Sequence, residues 1–224
     1  MIVTIDGPSG TGKSTVAKLL ARRLQFSFFD TGALYRALAW WMLQEEIELH
    51  DLISQLERFS FSIQEEGEEK KYFVCGKEVT AQLRNRDVTL LSSKASTIKE
   101  VREALLPMQR EYARAQDVVF EGRDLGTVVF PSADVKVFLT AREDIRANRR
   151  YQEILQKDPT KAVDRAEVMR ELQQRDFQDE NRSVAPLRCP DHAFVLDTSD
   201  LTIADVVETL YQHILIKKST CKDG

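Results

Sequence analysis

The sequence predicts an α/β fold, a parallel sheet with helices on both faces. Short apolar runs recur along the chain with helical patterns between them: IVTI (2–5), FSFF (26–29), VVF (118–120), VKVFL (135–139) and AFVL (193–196). Strands alternating with helices in this way build a sheet covered on both sides. The first run leads straight into GPSGTGKST (7–15), a glycine-rich turn. From Lys13 to Leu24, Val16, Leu20 and Leu24 then fall at i, i+4 and i+8, one face of a helix packed on the sheet.

The remaining elements follow in order. ALAWWML (37–43) is the most apolar block and far too short to span a bilayer, so it reads as a buried helix face. Residues 59–80 carry FSFSI, a charged EEGEEKK turn (65–71) and YFVCGKEVT, with strand-like alternation that reads as a small antiparallel insert. Val101, Leu105, Met108 and Tyr112 share one helix face, and Pro107 inside that helix is expected to kink or split it. Residues 141–182 hold ten Lys/Arg and ten Asp/Glu with few large apolar side chains. That composition fits a solvated helical hairpin, with Arg142, Arg146, Arg149 and Arg150 on one side. The end, KKSTCKDG (217–224), reads as a frayed polar tail, and no internal repeat is found.

Composition narrows the function classes. The chain has 224 residues, 30% charged and 42% hydrophobic, with a net charge of −4. This is an ordinary globular composition and argues against binding a nucleic-acid polymer, while leaving room for local basic clusters that grip small anions. Cys75, Cys189 and Cys221 are odd in number and far apart, which favours a reducing cytoplasm over a disulfide framework. Met1 leads directly into an apolar run with no basic segment or cleavage site, so neither a signal peptide nor a membrane anchor is expected. Cys189-x-x-His192 lacks the partners a metal site needs.

The turn carries chemistry. GPSGTGKS matches G-x-x-x-x-G-K-[ST] at Gly7, Gly12, Lys13 and Ser14. Its glycines let successive backbone N–H groups point inward at a β-phosphate, Lys13 reaches the β- and γ-phosphates, and the Ser14 hydroxyl suits Mg²⁺. The N-terminal end of the following helix adds positive potential. The chain is therefore expected to bind a nucleoside triphosphate. The guanine signature N-K-x-D is missing, and the run VVF ends in Glu121 followed by GRD, an odd place for charges unless a ligand sits there.

Three further stretches, DTGALYR (30–36), EGRDLGTVVFP (121–131) and RDFQDENRSVAPL (175–187), fall near strand ends or in the helical hairpin. With Lys13 they supply Arg36, Arg123, Arg175 and Arg182, enough cations to surround two facing phosphates. Phosphoryl transfer asks for that arrangement and for little acid–base work, because an acceptor phosphate is already an anionic nucleophile.

Together, GPSGTGKST, DTGALYR, VREALL (101–106), GRDLGTVVFP (122–131) and RD-x-x-D-x-x-R (175–182) closely resemble bacterial-type cytidylate kinase, from Met1 to about Tyr211. The resemblance implies a P-loop nucleoside monophosphate kinase fold with a five-stranded parallel sheet, a small antiparallel insert and a helical lid. It implies a core of 1–58, 91–140 and 183–216, a monophosphate-binding insert of about 59–90 and a lid of about 141–182. It assigns ATP as donor, held by Gly7, Pro8, Ser9, Gly10, Thr11, Gly12, Lys13, Ser14 and Thr15 with Arg149 or Arg150 from the lid, and Mg²⁺ at Ser14. CMP or dCMP is the acceptor, with cytosine at Thr31, Arg102 and Asp124, its phosphate at Arg36, Arg123 and Arg182, and its ribose at Arg175 and Asp179. Lys13, Arg123 and Arg182 carry the transfer. Glu121 stands where Asp is common in the family, which bears on the outer shell of Mg²⁺. A cytoplasmic monomer is implied. Another small kinase acting on UMP or shikimate, and a switch that hydrolyses ATP without an acceptor, are the rival readings.

Overall fold

A computed structural model describes residues 1–66, 69–114, 116–160 and 162–220. Gly67 and Glu68 of the charged turn and residues 221–224 of the tail, Cys221 among them, lie outside the described residues. The elements in chain order are β1 (Ile2–Asp6), α1 (Lys13–Leu24), β2 (Ser27–Asp30), α2 (Thr31–Gln44), α3 (Leu52–Gln55), β3 (Phe61–Glu66), β4 (Glu69–Val74), β5 (Lys77–Glu78), α4 (Arg86–Ala95), α5 (Lys99–Tyr112), β6 (Val118–Glu121), β7 (Val135–Thr140), α6 (Glu143–Lys157), α7 (Arg165–Asn181), β8 (Phe194–Asp197) and α8 (Ile203–Thr220). A π-helical turn, Leu125–Val129, follows β6. The chain forms two compact units, one of residues 1–29 with those from 112 onward, the other Asp30–Glu111.

The first unit is built on the five-stranded sheet, in the order β2-β6-β1-β7-β8. β1 pairs in parallel with β6 (Ile2↔Val118) and β7 (Val3↔Val135), and β7 with β8 (Val137↔Phe194). Position in the sheet explains the composition of β1, β6 and β8. β1 and β6 lie inside it and are buried almost throughout, hence IVTI and VVF as continuous apolar runs. β8 closes one edge and alternates, leaving Val195 exposed. Val3, Ile5, Val119, Val137 and Leu139 form one core with Val16, Ala17 and Leu20 of α1 and Val206, Leu210 and Ile214 of α8. Phe120 instead joins an aromatic cluster with Phe29, Tyr112 and Phe130, at ring separations of 4.5–6.4 Å.

In the second unit α2 opens at Asp30, whose carboxylate accepts the Ala33 N–H at 2.9 Å. Ala37, Leu38, Ala39, Trp41 and Met42 of the apolar block are buried. The insert is a three-stranded antiparallel sheet, β3-β4-β5, with Phe61 stacked on Tyr72. Pro107 does not split its helix, and α5 runs unbroken from Lys99 to Tyr112. Val101, Leu105 and Gln109 anchor the turns on either side of it, while Pro107 and Glu103, whose carbonyl loses its usual partner, face solvent. Water can satisfy that carbonyl. Among the described residues no helix is long and apolar enough to cross a membrane.

Candidate active site

The site grows from the C-terminal ends of neighbouring parallel strands, where open α/β sheets place ligands. β1 ends at Asp6 and the chain turns at Gly7, whose φ is 141°. A Cβ there would lie 2.1 Å from the Leu139 carbonyl oxygen, so only glycine allows this departure from the sheet. The loop then wraps to Gly12, which caps α1 in a left-handed conformation at φ 90°. Ser9, Thr11 and Lys13 are buried within it.

The Lys13 ammonium donates to the Pro8 carbonyl at 2.6 Å, folded across its own loop. Burial, followed by the charge of Arg123, pushes it down to about 7, with Arg175 adding to the effect. Glu121, at the end of β6 and level with Ile5 of β1, accepts from the Ser14 hydroxyl at 3.0 Å. The pairing of β1 with β6 thus sets the Glu121 carboxylate against the hydroxyl at the start of α1, beside the loop.

The segment after β6 delivers two more groups. Arg123 donates from Nε to Asp179 (3.0 Å) and from Nη2 to the Ser9 hydroxyl (3.0 Å), and its Nη1 lies 3.7 Å from Glu121. Burial alone would lower Arg123, but Asp179 and Glu121 hold it above its ordinary value. Asp124 accepts from Arg182 Nη2 at 3.2 Å, and Arg182 also donates to the Ala185 carbonyl at 2.6 Å. Ser14, Glu121, Arg123, Asp179, Arg182 and Asp124 therefore form one chain of polar contacts, closed by Arg182 Nη1 at 3.9 Å from Asp179, with Lys13 in the field of Arg123, Glu121 and Arg175.

Ser9 is held by all three of its polar groups. Its N–H donates to Asp176 (2.8 Å), its carbonyl accepts from Arg146 (3.0 Å), and its hydroxyl accepts from Arg123. Arg146 and Asp176, on α6 and α7, are buried and form an ion pair with each other. A cavity of about 600 Å³ opens beside Pro8, lined by Arg146, Asp176 and the exposed ring of Phe177. Arg149 donates to Thr198 Oγ1 at 2.9 Å, and that hydroxyl donates to the Thr11 carbonyl at 3.2 Å, so Arg149 reaches the far end of the loop. Arg150 pairs instead with Glu153 on the exposed side of α6.

Three residues that the sequence assigns to the acceptor, Thr31, Arg36 and Arg102, lie in the second unit. Thr31 is the first residue of α2 and is buried. Arg36 donates to Asp30 at 2.8 Å, and its buried Nε has no hydrogen-bond partner among the described residues. Arg102, also buried, donates to the Ser96 carbonyl at 3.1 Å and lies 5.5 Å from the centre of the Tyr35 ring.

Sequence reasoning passed over Asp6, Asp30, Tyr35 and the Arg146–Asp176 pair. Asp6 had a visible signal, a charge closing an apolar run, the same signal that drew attention to Glu121. Asp176 sat inside the RD-x-x-D stretch, but nothing in the spacing says that its side chain meets Arg146 and Ser9.

The family model for cytidylate kinase matches residues 3–215. A cytidylate kinase of Protochlamydia amoebophila is 47% identical over 218 residues, covering 95% of this chain and 96% of that one. One from Fusobacterium nucleatum is 40% identical, covering 96% and 97%. Among solved structures, shikimate kinase from Bacteroides thetaiotaomicron superposes with a TM-score of 0.50 at 16% identity, covering 96% of this chain and 98% of that one. That likeness speaks to the fold. With a family model spanning nearly the whole chain and relatives this close, the chain belongs to the cytidylate kinase family.

Proposed function

We propose that the chain transfers the γ-phosphoryl group of ATP to CMP or dCMP, giving ADP and CDP or dCDP, and that it uses Mg²⁺. The observation that carries the reading is the network itself. A triphosphate-type loop and its lysine sit beside a second set of cations, Arg123 and Arg182, already braced by Asp179 and Asp124. A hydrolytic switch needs only the first set; a transferase to an anionic acceptor needs both.

The residues suit the metal. Ser14 Oγ and Glu121 Oε2 are hard oxygen donors 3.0 Å apart at the loop. Mg²⁺ commonly takes one or two protein oxygens and completes its shell with phosphates and water. Bound there, it would draw charge from the β- and γ-phosphates. The chain's own work is positioning and charge. The Lys13 ammonium leaves the Pro8 carbonyl for the migrating phosphoryl, while Arg123 and Arg182 neutralise donor and acceptor oxygens facing each other. Arg36 is assigned to the acceptor phosphate too, in keeping with a buried Nε that has no hydrogen-bond partner among the described residues. Asp124 accepts from the cytosine N4 amino group, Arg102 donates to N3 and O2, and Thr31 completes the edge. Arg175 and Asp179 take the ribose, and Arg149 or Arg150 the donor nucleotide. Two exposed free thiols, Cys75 and Cys189, suit a reducing cytoplasm.

The test is ADP release from MgATP with a panel of monophosphates at equal concentration. CMP and dCMP should stimulate strongly and UMP less. Equal release with and without any acceptor would contradict transfer.

A further inference from the structure

Asp6 is fully buried at the C-terminal end of β1, and none of the roles above uses it. Each of its carboxylate oxygens accepts one backbone N–H from the turn after β6. Leu125 donates to Oδ1 at 2.9 Å and Gly126 to Oδ2 at 2.8 Å. That turn is closely seated. A Cβ at Gly126 would lie 2.7 Å from the Pro190 ring and 3.2 Å from Thr4 Oγ1. The two residues just before the clamped amides are Arg123 and Asp124. The residue just after Asp6 is Gly7, where the phosphate loop leaves the sheet.

We propose that Asp6 is a positioning residue for phosphoryl transfer: its carboxylate holds the Leu125–Gly126 turn so that Arg123 and Asp124 keep register with the phosphate loop. The role rests on the reading of Arg123 and Asp124 as acceptor-binding residues.

The chemistry of the clamp requires an ionised group. Two parallel N–H donors need two acceptors, and a carboxylate supplies both. A neutral acid or an amide supplies one acceptor and turns a donor toward the other N–H. Burying the charge is costly, because a carboxylate out of water loses solvation that two amide bonds offset only in part. A turn that needed nothing more than satisfied amides would be served by a less costly group. Burial raises Asp6 from 3.8 to about 7 against the pull of the two amides. The ionisable groups in its field are Asp124 from the same turn, which raises it further, Lys13 from α1, which lowers it, and Cys189 from the chain before β8. Strongly perturbed carboxyls of this kind gather where geometry serves chemistry.

Asp6→Asn tests the role, because it keeps the shape and removes one acceptor. At pH 8 the KM for CMP should rise about tenfold and kcat should fall, the loss of roughly one charged hydrogen bond at the acceptor side. The KM for MgATP should stay within about twofold, and the melting temperature should not drop. An unchanged KM for CMP would overturn the proposal. So would a parallel rise in both KM values with a lowered melting temperature, which marks a merely structural residue. Should the variant not fold, the wild type supplies the reading. At pH 8 the backbone amide protons of Leu125 and Gly126 should both lie well downfield, as N–H groups bonded to a carboxylate do, and should move together as Asp6 takes up its proton, with the KM for CMP rising across the same interval and that for MgATP unchanged. Amide shifts at unbonded positions, or a KM for CMP that stays flat while the two amides move, would overturn it. A wild type active on CMP with an unaffected Asp6→Asn sinks this inference alone, whereas a wild type that consumes no CMP sinks the kinase reading and this role with it.

Discussion

Lys13 lies buried with its ammonium on the Pro8 carbonyl, and a buried cation is retained where it later meets a stronger anion. Lys13→Ala should lower kcat by about 10²–10³-fold, the usual loss when one group stabilising transition-state charge is removed. Circular dichroism should match the wild type, and near-normal turnover would remove Lys13 from the chemistry. Asp124 is a subtler case, because its carboxylate is paired with Arg182. Asp124→Asn should reduce the preference for CMP over UMP by about ten- to hundredfold, since the amide can donate to uracil O4 where the carboxylate repels it. If Asp124 serves only to orient Arg182, kcat/KM falls equally for both substrates and the ratio stays put. Asp6 has a pH signature of its own. Its folded-state pKa is raised from 3.8 to about 7, so the native state binds the proton more tightly. Its contribution to stability is present in full below the unfolded value and is lost as pH rises from there through the raised one. Melting temperatures of wild type and Asp6→Asn should therefore diverge from about pH 5 to pH 8, with the variant gaining relative to the wild type. Parallel curves would contradict the shift.

At the scale of elements, the helical hairpin α6–α7 poses the sharpest question. Its mixed charge and sparse apolar content suggest helices with little to hold them against the core. The structure adds a specific tether. Asp176 meets the Ser9 N–H, Arg146 meets the Ser9 carbonyl, and the two are paired away from solvent. A buried pair broken on one side is costly, so the tether should dominate the local stability of the hairpin. Asp176→Asn should speed amide exchange across 143–181 by at least about tenfold and weaken MgATP binding, because Ser9 loses its anchor. Exchange identical to the wild type would show that packing, not this pair, holds α6 and α7. Adding a bisubstrate analogue to the wild type should slow exchange in the same helices, as expected of a lid.

Across the molecule, what the sequence made legible were features with a local cause. β1, β6 and β7 lie within the sheet, and inside strands are written as short apolar runs between turn signals. β2 falls one residue later than its FSFF run, at Ser27–Asp30, because Asp30 ends the strand while capping α2. The phosphate loop was readable because glycines, lysine and serine must stand at fixed offsets in one turn. Pro107 does not split its helix for a related reason: the buried residues on either side, Leu105 and Gln109, keep it continuous. The Asp6 clamp and the Ser9 tether were not legible, since each joins residues more than 100 positions apart through contacts that only the sheet order creates. The kinase reading turns on where the phosphoryl group lands, and ATP labelled at the γ-phosphate, incubated with Mg²⁺ and CMP, follows it. Transfer puts the label in CDP in proportion to ADP formed, with little free phosphate; label accumulating as inorganic phosphate, at a rate indifferent to CMP, would rule transfer out.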